Sequence, residues 1–163
     1  MSERLPKPVS VSRVEMTQVV MPGDANALGT AFGGRVVGWI DLAGAIAAQR
    51  HARMPVVTAS IDQLNFLAPV RVGEIAILHA QVNAVFGSSM EVEVAVHAED
   101  PLTGDTRRCC DAFMTMVALG EDGRPAHAPP LLLESDEEKL RQQQALHRRE
   151  ARLETRGSTS RGL

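Results

Sequence analysis

One carboxylate breaks the local rules of this chain. Asp41 lies inside the apolar run VVGWIDLAGAIAAQRHA, and the residues three and four positions away are Val37, Gly38, Gly44 and Ala45. Those positions share a helix face with it, and none is a lysine or arginine. A carboxylate is costly to bury without a partner. An Asp kept here is therefore a candidate general base or nucleophile. It could equally be hydrogen-bonded to a neighbouring strand or subunit to set register; residue type and spacing leave both readings open. The two glycines cost a helix roughly 1 kcal/mol each relative to alanine. In return they leave a shallow strip beside Asp41 where a backbone or a slim ligand can approach closely.

The second feature is the stretch NALGTAFGG, residues 26–34, immediately before that run. Unpaired N–H groups at a helix N-terminus, with the positive end of the helix dipole, stabilise an oxyanion. Gly33 and Gly34 would let a carbonyl reach such donors, and the Asn26 amide could donate a further hydrogen bond or hold a water. A glycine-led helix with Asn26 as a turn residue is the plainer reading. An unpaired helical Asp downstream makes the pattern more specific.

These residues need elements to carry them. Residues 35–52 have helical length and are apolar on nearly every side, which predicts a buried helix of about 27 Å stopped by Pro55. A strand is expected over residues 9–21, before a turn-rich loop. After the helix come strands over 56–66, 74–85, 90–98 and 106–119, separated by turns at Pro69–Gly73, Gly87-Ser88-Ser89 and residues 100–105. Met90, Val92, Val94, Val96 and Ala98 alternate with Glu91, Glu93 and His97 as in a half-buried strand. Strands joined by short turns make an antiparallel sheet. One helix can cover a face of it, giving an α+β domain. Residues 1–8 read as a disordered lead-in, 9–130 as the packed domain and 131–163 as a polar tail. The acids of that tail come early and its bases late, matching a helix dipole over 134–156, with 157–163 expected to be disordered.

Composition excludes more than it suggests. The 163 residues are 44% hydrophobic, so wholesale disorder is ruled out. Aromatics make up 3%, too few for stacking on single-stranded nucleic acid. The net charge of -3 argues against a general nucleic-acid binder. There is no apolar run of membrane-spanning length and no signal-peptide pattern. Cys109 and Cys110 are adjacent and expected to point to opposite sheet faces, hence reduced, as suits a cytoplasmic protein. The five histidines are dispersed and expected to be placed by packing. No nucleophile elbow, phosphate-binding loop or metal-ligand spacing is present.

Taken together, MTQVVMPGDANALGTAFGGRVVGWIDLAGAIAAQRHA, VVTASIDQLNFLAPVRVGE, GSSMEVEVAVHAEDPLTG and FMTMVAL resemble the hotdog-fold acyl-CoA thioesterases. The resemblance is closest to the bacterial YciA-like and cytosolic acyl-CoA hydrolase group, and covers residues 14–119. It rests on the N-x-x-G-x-x-x-G-G pattern, the helical Asp and the S-x-D-x-x-x-F strand together. It implies a helix wrapped by a five-stranded antiparallel sheet. It also implies homodimers sharing one continuous sheet, commonly assembled as trimers of dimers into a homohexamer. The implied reaction, in fatty acid metabolism, is hydrolysis of acyl-CoA to free acid and CoA, with no metal or organic cofactor.

Residue by residue, the resemblance makes Asn26 and Asp41 catalytic, brought together from opposing subunits. The N–H groups of Gly33 and Gly34 would polarise the thioester carbonyl. Gly29, Thr30, Phe32, Ser60, Asn65, Phe66, Ser88 and Ser89 fall at substrate-binding positions. Many relatives carry His-Gly-Gly where this chain has Phe32-Gly33-Gly34, and close relatives often have a basic residue where Ser88 stands. Arg50, Arg53, Arg107, Arg108 or the basic end of the tail helix are the substitutes available for the CoA phosphates. A non-catalytic acyl-CoA binding or sensing module on the same fold is the alternative. An enoyl-CoA hydratase would want an Asp-His pair that Asn26 and Phe32 do not supply.

Overall fold

The computed structural model describes residues 4–159. Five antiparallel strands form the main sheet: β2 (Val14–Val19), β3 (Val56–Phe66), β4 (Ile75–Phe86), β5 (Ser89–Glu99) and β6 (Thr106–Ala118), in the order β2-β4-β5-β6-β3. The long helix α1 (Gly33–Ala52) crosses one face of it. A two-residue strand β1 (Lys7–Pro8) pairs in parallel with β7 (Leu131–Leu132), and helix α2 (Asp136–Thr159) closes the chain.

The core is built from small and branched side chains. Leu78, Val92, Val94, Val96, Met114 and Met116 point from the sheet at Val36, Ile40, Ala43, Ala47 and Ala48 of the helix, and all are essentially inaccessible. Gly44 is where helix and sheet come closest. A Cβ there would sit 2.9 Å from Met114 Sδ, 3.2 Å from Met116 Cε and 3.6 Å from a Val94 methyl. Gly44→Val is therefore expected to lose about 1–3 kcal/mol in urea unfolding, because overpacking outweighs the gain in helix propensity. Unchanged stability would show that the close approach is not what retains the glycine.

The apolar circumference of α1 predicted burial on all sides. In the single chain the sheet covers one stripe, and the opposite stripe, with Gly34, Gly38 and Leu42, faces outward; Leu42 is 53% exposed. A sheet has only one face to offer the helix, so the second stripe awaits another surface. Edge strand β3 is also unpaired on its outer side.

Several expectations are corrected at the chain ends. Residues 9–21 are not one strand: Val9–Ser12 form a 3-10 turn, and pairing starts at Val14. Ser12 Oγ donates to Val9 O at 2.7 Å and accepts Val82 N–H at 3.0 Å, taking the role a backbone carbonyl would have had in a longer strand. The lead-in over residues 1–8 is structured at its end. Lys7 and Pro8 pair with Leu131 and Leu132, and Lys7 Nζ donates to His51 O at 2.8 Å. This ladder carries the fold past residue 130.

The tail helix is not a detached solvated element. Ser135 caps it, and Ala145 is fully buried. Its basic face is matched by acids on the outer face of the sheet. Arg148 grips Glu91 at 2.8 and 3.1 Å, Arg152 reaches Asp62 at 2.8 Å, and Arg141 pairs with Glu93. Arg148 also stacks over the Phe113 ring at 3.8 Å. Polar sequence alone could not reveal a face whose partners are carboxylates on distant strands. The helix continues to Thr159, into the stretch expected to be disordered from 157; residues 160–163 lie outside the described residues.

Candidate active site

Asp41 sits two turns into α1 on the outward side, half-buried, and its partner is on a strand. Thr58 Oγ1 of β3 donates to Asp41 Oδ1 at 2.5 Å, and Oδ2 makes no hydrogen bond among the described residues. The carboxylate is thus oriented and keeps one oxygen available. Gly38 precedes it on the same stripe, with open space where a Cβ would be. Phe32, Gly34, Arg35, Gly38 and Trp39 line a groove of about 560 Å³ running along this face.

Sequence reasoning missed Thr58, because no motif marks which strand residue faces a helix. Here alternation also misleads. The β3–β6 register shifts between Thr58 and Ser60 and again between Ile61 and Gln63. Thr58 faces the helix opposite Met116, whereas Ser60 lies opposite Thr115 on the other face. Ser60 Oγ donates to Asp62 Oδ1 at 2.7 Å, in the cluster that holds Arg152. Ser60 is therefore not brought to Asp41. Asn65 likewise lies opposite Asp111, beside a Leu64 that packs on the core, which turns Asn65 outward. Thr58→Val, which keeps the shape and removes the donor, should lower kcat about 10–100-fold by freeing Asp41 to rotate, with the melting temperature preserved. Unchanged kcat would reduce the pair to a structural contact.

The loop before α1 is a self-contained frame. Asn26 Oδ1 accepts the N–H groups of Leu28 at 2.9 Å and Thr30 at 3.3 Å, and Nδ2 donates to Thr30 Oγ1 at 3.0 Å. Gly29 closes the turn at a φ of 75°, where a side chain would be strained. Thr30 bridges to Arg71, and Ala31 N–H donates to Val70 O at 2.8 Å, pinning the loop to the sheet. Phe32 N–H donates to Asp24 O at 2.9 Å and Arg35 pairs with Asp24 at 3.0 Å, which aims the helix start. The N–H groups of Gly33 and Gly34 make no hydrogen bond among the described residues. Two donors at the positive end of a helix are thus left for a ligand. The Phe66 ring lies 3.5 Å from where a Gly33 Cβ would be, so these two predicted residues meet.

Ser88 and Ser89 occupy the β4–β5 turn. Ser89 pairs with Val117, which pairs with Val57, so this turn lies at the Thr58 end of the sheet. Among the basic candidates, Arg107 is held by Glu74 at 2.6 and 2.7 Å, Arg108 by Asp111 at 2.5 Å, and Arg50 donates to Arg13 O at 2.6 Å. With Arg148 and Arg152 committed to the sheet's outer face, most of the proposed phosphate ligands are already engaged. No group of three metal-ligating side chains occurs among the described residues.

Distance along the helix limits what one chain can do. Gly33 and Asp41 are eight residues apart, about 12 Å. Oxyanion donors and a base acting on the same carbonyl must both lie within about 3 Å of the reacting atoms. Within one chain those donors and that carboxylate are too far apart to act on the same carbonyl.

A helix laid across a five-stranded antiparallel sheet, with uncapped glycine N–H groups and an oriented carboxylate, defines a hotdog-type domain built for carbonyl chemistry. A match to the thioesterase superfamily covers residues 28–104. The chain is 38% identical over 137 residues to the acyl-CoA thioester hydrolase YkhA of Bacillus subtilis, covering 84% of this chain and 80% of YkhA. A solved hexameric acyl-CoA thioesterase superposes with a TM-score of 0.89 at 40% identity, over 93% of this chain and 97% of that one. The Staphylococcus aureus acyl-CoA hydrolase, solved with butyryl-CoA, CoA and CoA disulfide, gives 0.88 at 35% identity, over 95% and 94%. This chain belongs to the thioesterase superfamily, in its hotdog-fold acyl-CoA thioesterase group. It also matches the acetyl-coenzyme A thioesterase of Rattus norvegicus at 33% identity, spanning 26% of that longer protein.

Proposed function

We propose that this chain hydrolyses acyl-CoA thioesters to a free acid and CoA, without metal or organic cofactor, in a site shared between two copies. The thioester oxygen accepts the N–H groups of Gly33 and Gly34 from one copy. Asp41 of the other, held by Thr58, supplies the base or the nucleophile. Asn26 shapes the loop that presents those donors and lies next to the same carbonyl. As a base, Asp41 takes a proton from water while the water oxygen attacks the carbonyl carbon. As a nucleophile it forms a mixed anhydride that water then cleaves. In both cases the C–S bond breaks and the thiolate leaves as CoA.

The observation that carries this reading is the Asp41–Thr58 pair opening onto the glycine strip. The comparisons support the residues. The S. aureus enzyme has been solved with an aspartate, an asparagine and a threonine each replaced by alanine, the asparagine variant in complex with CoA. The asparagine and aspartate of that set are 15 residues apart and the aspartate and threonine 17, the separations of Asn26, Asp41 and Thr58 here. The exposed helix stripe and the unpaired β3 edge support a homo-oligomer, which we infer to be dimers assembled into a hexamer; one solved neighbour is hexameric. We assign it to the cytoplasm. No helix among the described residues is long and apolar enough to cross a membrane.

The test is CoA release from a panel of acyl-CoAs. Turnover by the purified chain is expected. Tight binding of acyl-CoA with the ligand recovered intact would instead make this a sensing module.

A further inference from the structure

An apolar cavity of about 240 Å³ opens beside the helix start, walled by Gly33, Val36, Phe66, Ala68, Cys109 and Cys110 among others. Two features of the chain create it. First, the β5–β6 register shifts between Val96, which faces Cys110, and His97, which faces Arg108. Cys109 is the extra residue of this bulge. Its carbonyl accepts the N–H groups of Leu67 at 2.8 Å and Ala68 at 3.3 Å, so the outgoing end of β3 is folded onto it. The bulge also explains why two adjacent cysteines line one cavity instead of opposite faces. Second, the walls that could fill the space are small: Ala31, Gly33 and Ala68.

We propose that this cavity receives the acyl chain of the thioester and limits its length, making the chain selective for short to medium acyl groups. The inference rests on the thioesterase reading above. Gly33 is the link. Its N–H, unpaired among the described residues, is one of the two donors proposed for the thioester oxygen, and the same residue forms the cavity rim. A carbonyl held there has its alkyl substituent at the mouth. Nothing on the walls opposes an alkyl chain. Burial pushes the Cys109 thiol up, and burial, with Asp111 and Cys109 adding to it, pushes Cys110 up to about 11. Both stay neutral and present no thiolate to capture the acyl group. The S. aureus neighbour was solved with a four-carbon acyl-CoA. An apolar cavity of about 150 Å³ takes a benzene ring, so about 240 Å³ takes a chain of roughly eight carbons.

The experiment measures kcat/KM from acetyl- to palmitoyl-CoA for the wild-type oligomer, Ala68→Leu and Cys110→Ala. For wild type, each methylene should raise kcat/KM about fourfold up to about eight carbons, after which the gain stops. Ala68→Leu fills the wall and should lower the octanoyl-to-acetyl ratio at least about tenfold. Cys110→Ala deepens the floor and should move the optimum one or two carbons longer. If Ala68→Leu does not fold, Cys110→Ala decides alone. Turnover with the wild-type chain-length profile in every folded variant overturns the assignment of the cavity and leaves the thioesterase reading standing. No turnover of any acyl-CoA by the folded wild type overturns both.

Discussion

Asp41→Ala should abolish most acyl-CoA hydrolysis, lowering kcat about 10²–10⁴-fold, the usual worth of a positioned base. The fold should survive. Asp41 is on the outward stripe of α1, its one side-chain hydrogen bond among the described residues comes from Thr58, and alanine is the better helix former. Asp41→Asn separates chemistry from positioning. Its amide oxygen can still accept the Thr58 hydroxyl, but it carries neither a base nor a nucleophile. Equal losses in both variants place the chemistry on the carboxylate. A folded Asp41→Ala oligomer that keeps a third or more of wild-type kcat would remove Asp41 from the reaction.

The second large effect is a recovery. Asp41→Ala and Asn26→Ala chains, each nearly inactive alone, should regain activity when refolded together. On the proposed shared site, a symmetric dimer takes each Asn26 loop from one copy and the matching Asp41 from the other. A mixed dimer then holds one doubly damaged site and one intact site. Random mixing makes about half the dimers mixed, so about a quarter of wild-type turnover should return. The N–H groups of Gly33 and Gly34, unpaired among the described residues, lie about 12 Å along the helix from Asp41 of the same chain. Failure to recover any activity, with mixed oligomers shown to form, would put the complete site within one chain.

Asp41 shows how far residue spacing could go. The sequence showed a carboxylate with no partner on its own helix, and left open whether it was catalytic or tied to a neighbouring strand. The structure supplies the tie, Thr58, and the tie does not cancel the first reading, since one carboxylate oxygen remains available. Thr58 itself was illegible because β3 carries two register shifts. One shift puts Thr58 on the helix side and Ser60 on the other, where strict alternation would have put them together. A bulge is decided by pairing with β6, which lies about fifty residues downstream, and not by local residue type.

The same reason runs through the rest of the molecule. Element order, the helix with its odd Asp and the four later strands follow from periodicity, turn residues and length, which are local properties of the chain. Three features depend on which distant segments touch. The tail helix docks because its arginines meet Glu91, Glu93 and Asp62. Lys7 and Pro8 are held in place because they find Leu131 and Leu132. The cavity at the helix start exists because Cys109 is left over in a bulge. Local pattern sets which elements form. Which face each residue presents is set by long-range register, and that only the tertiary structure decides.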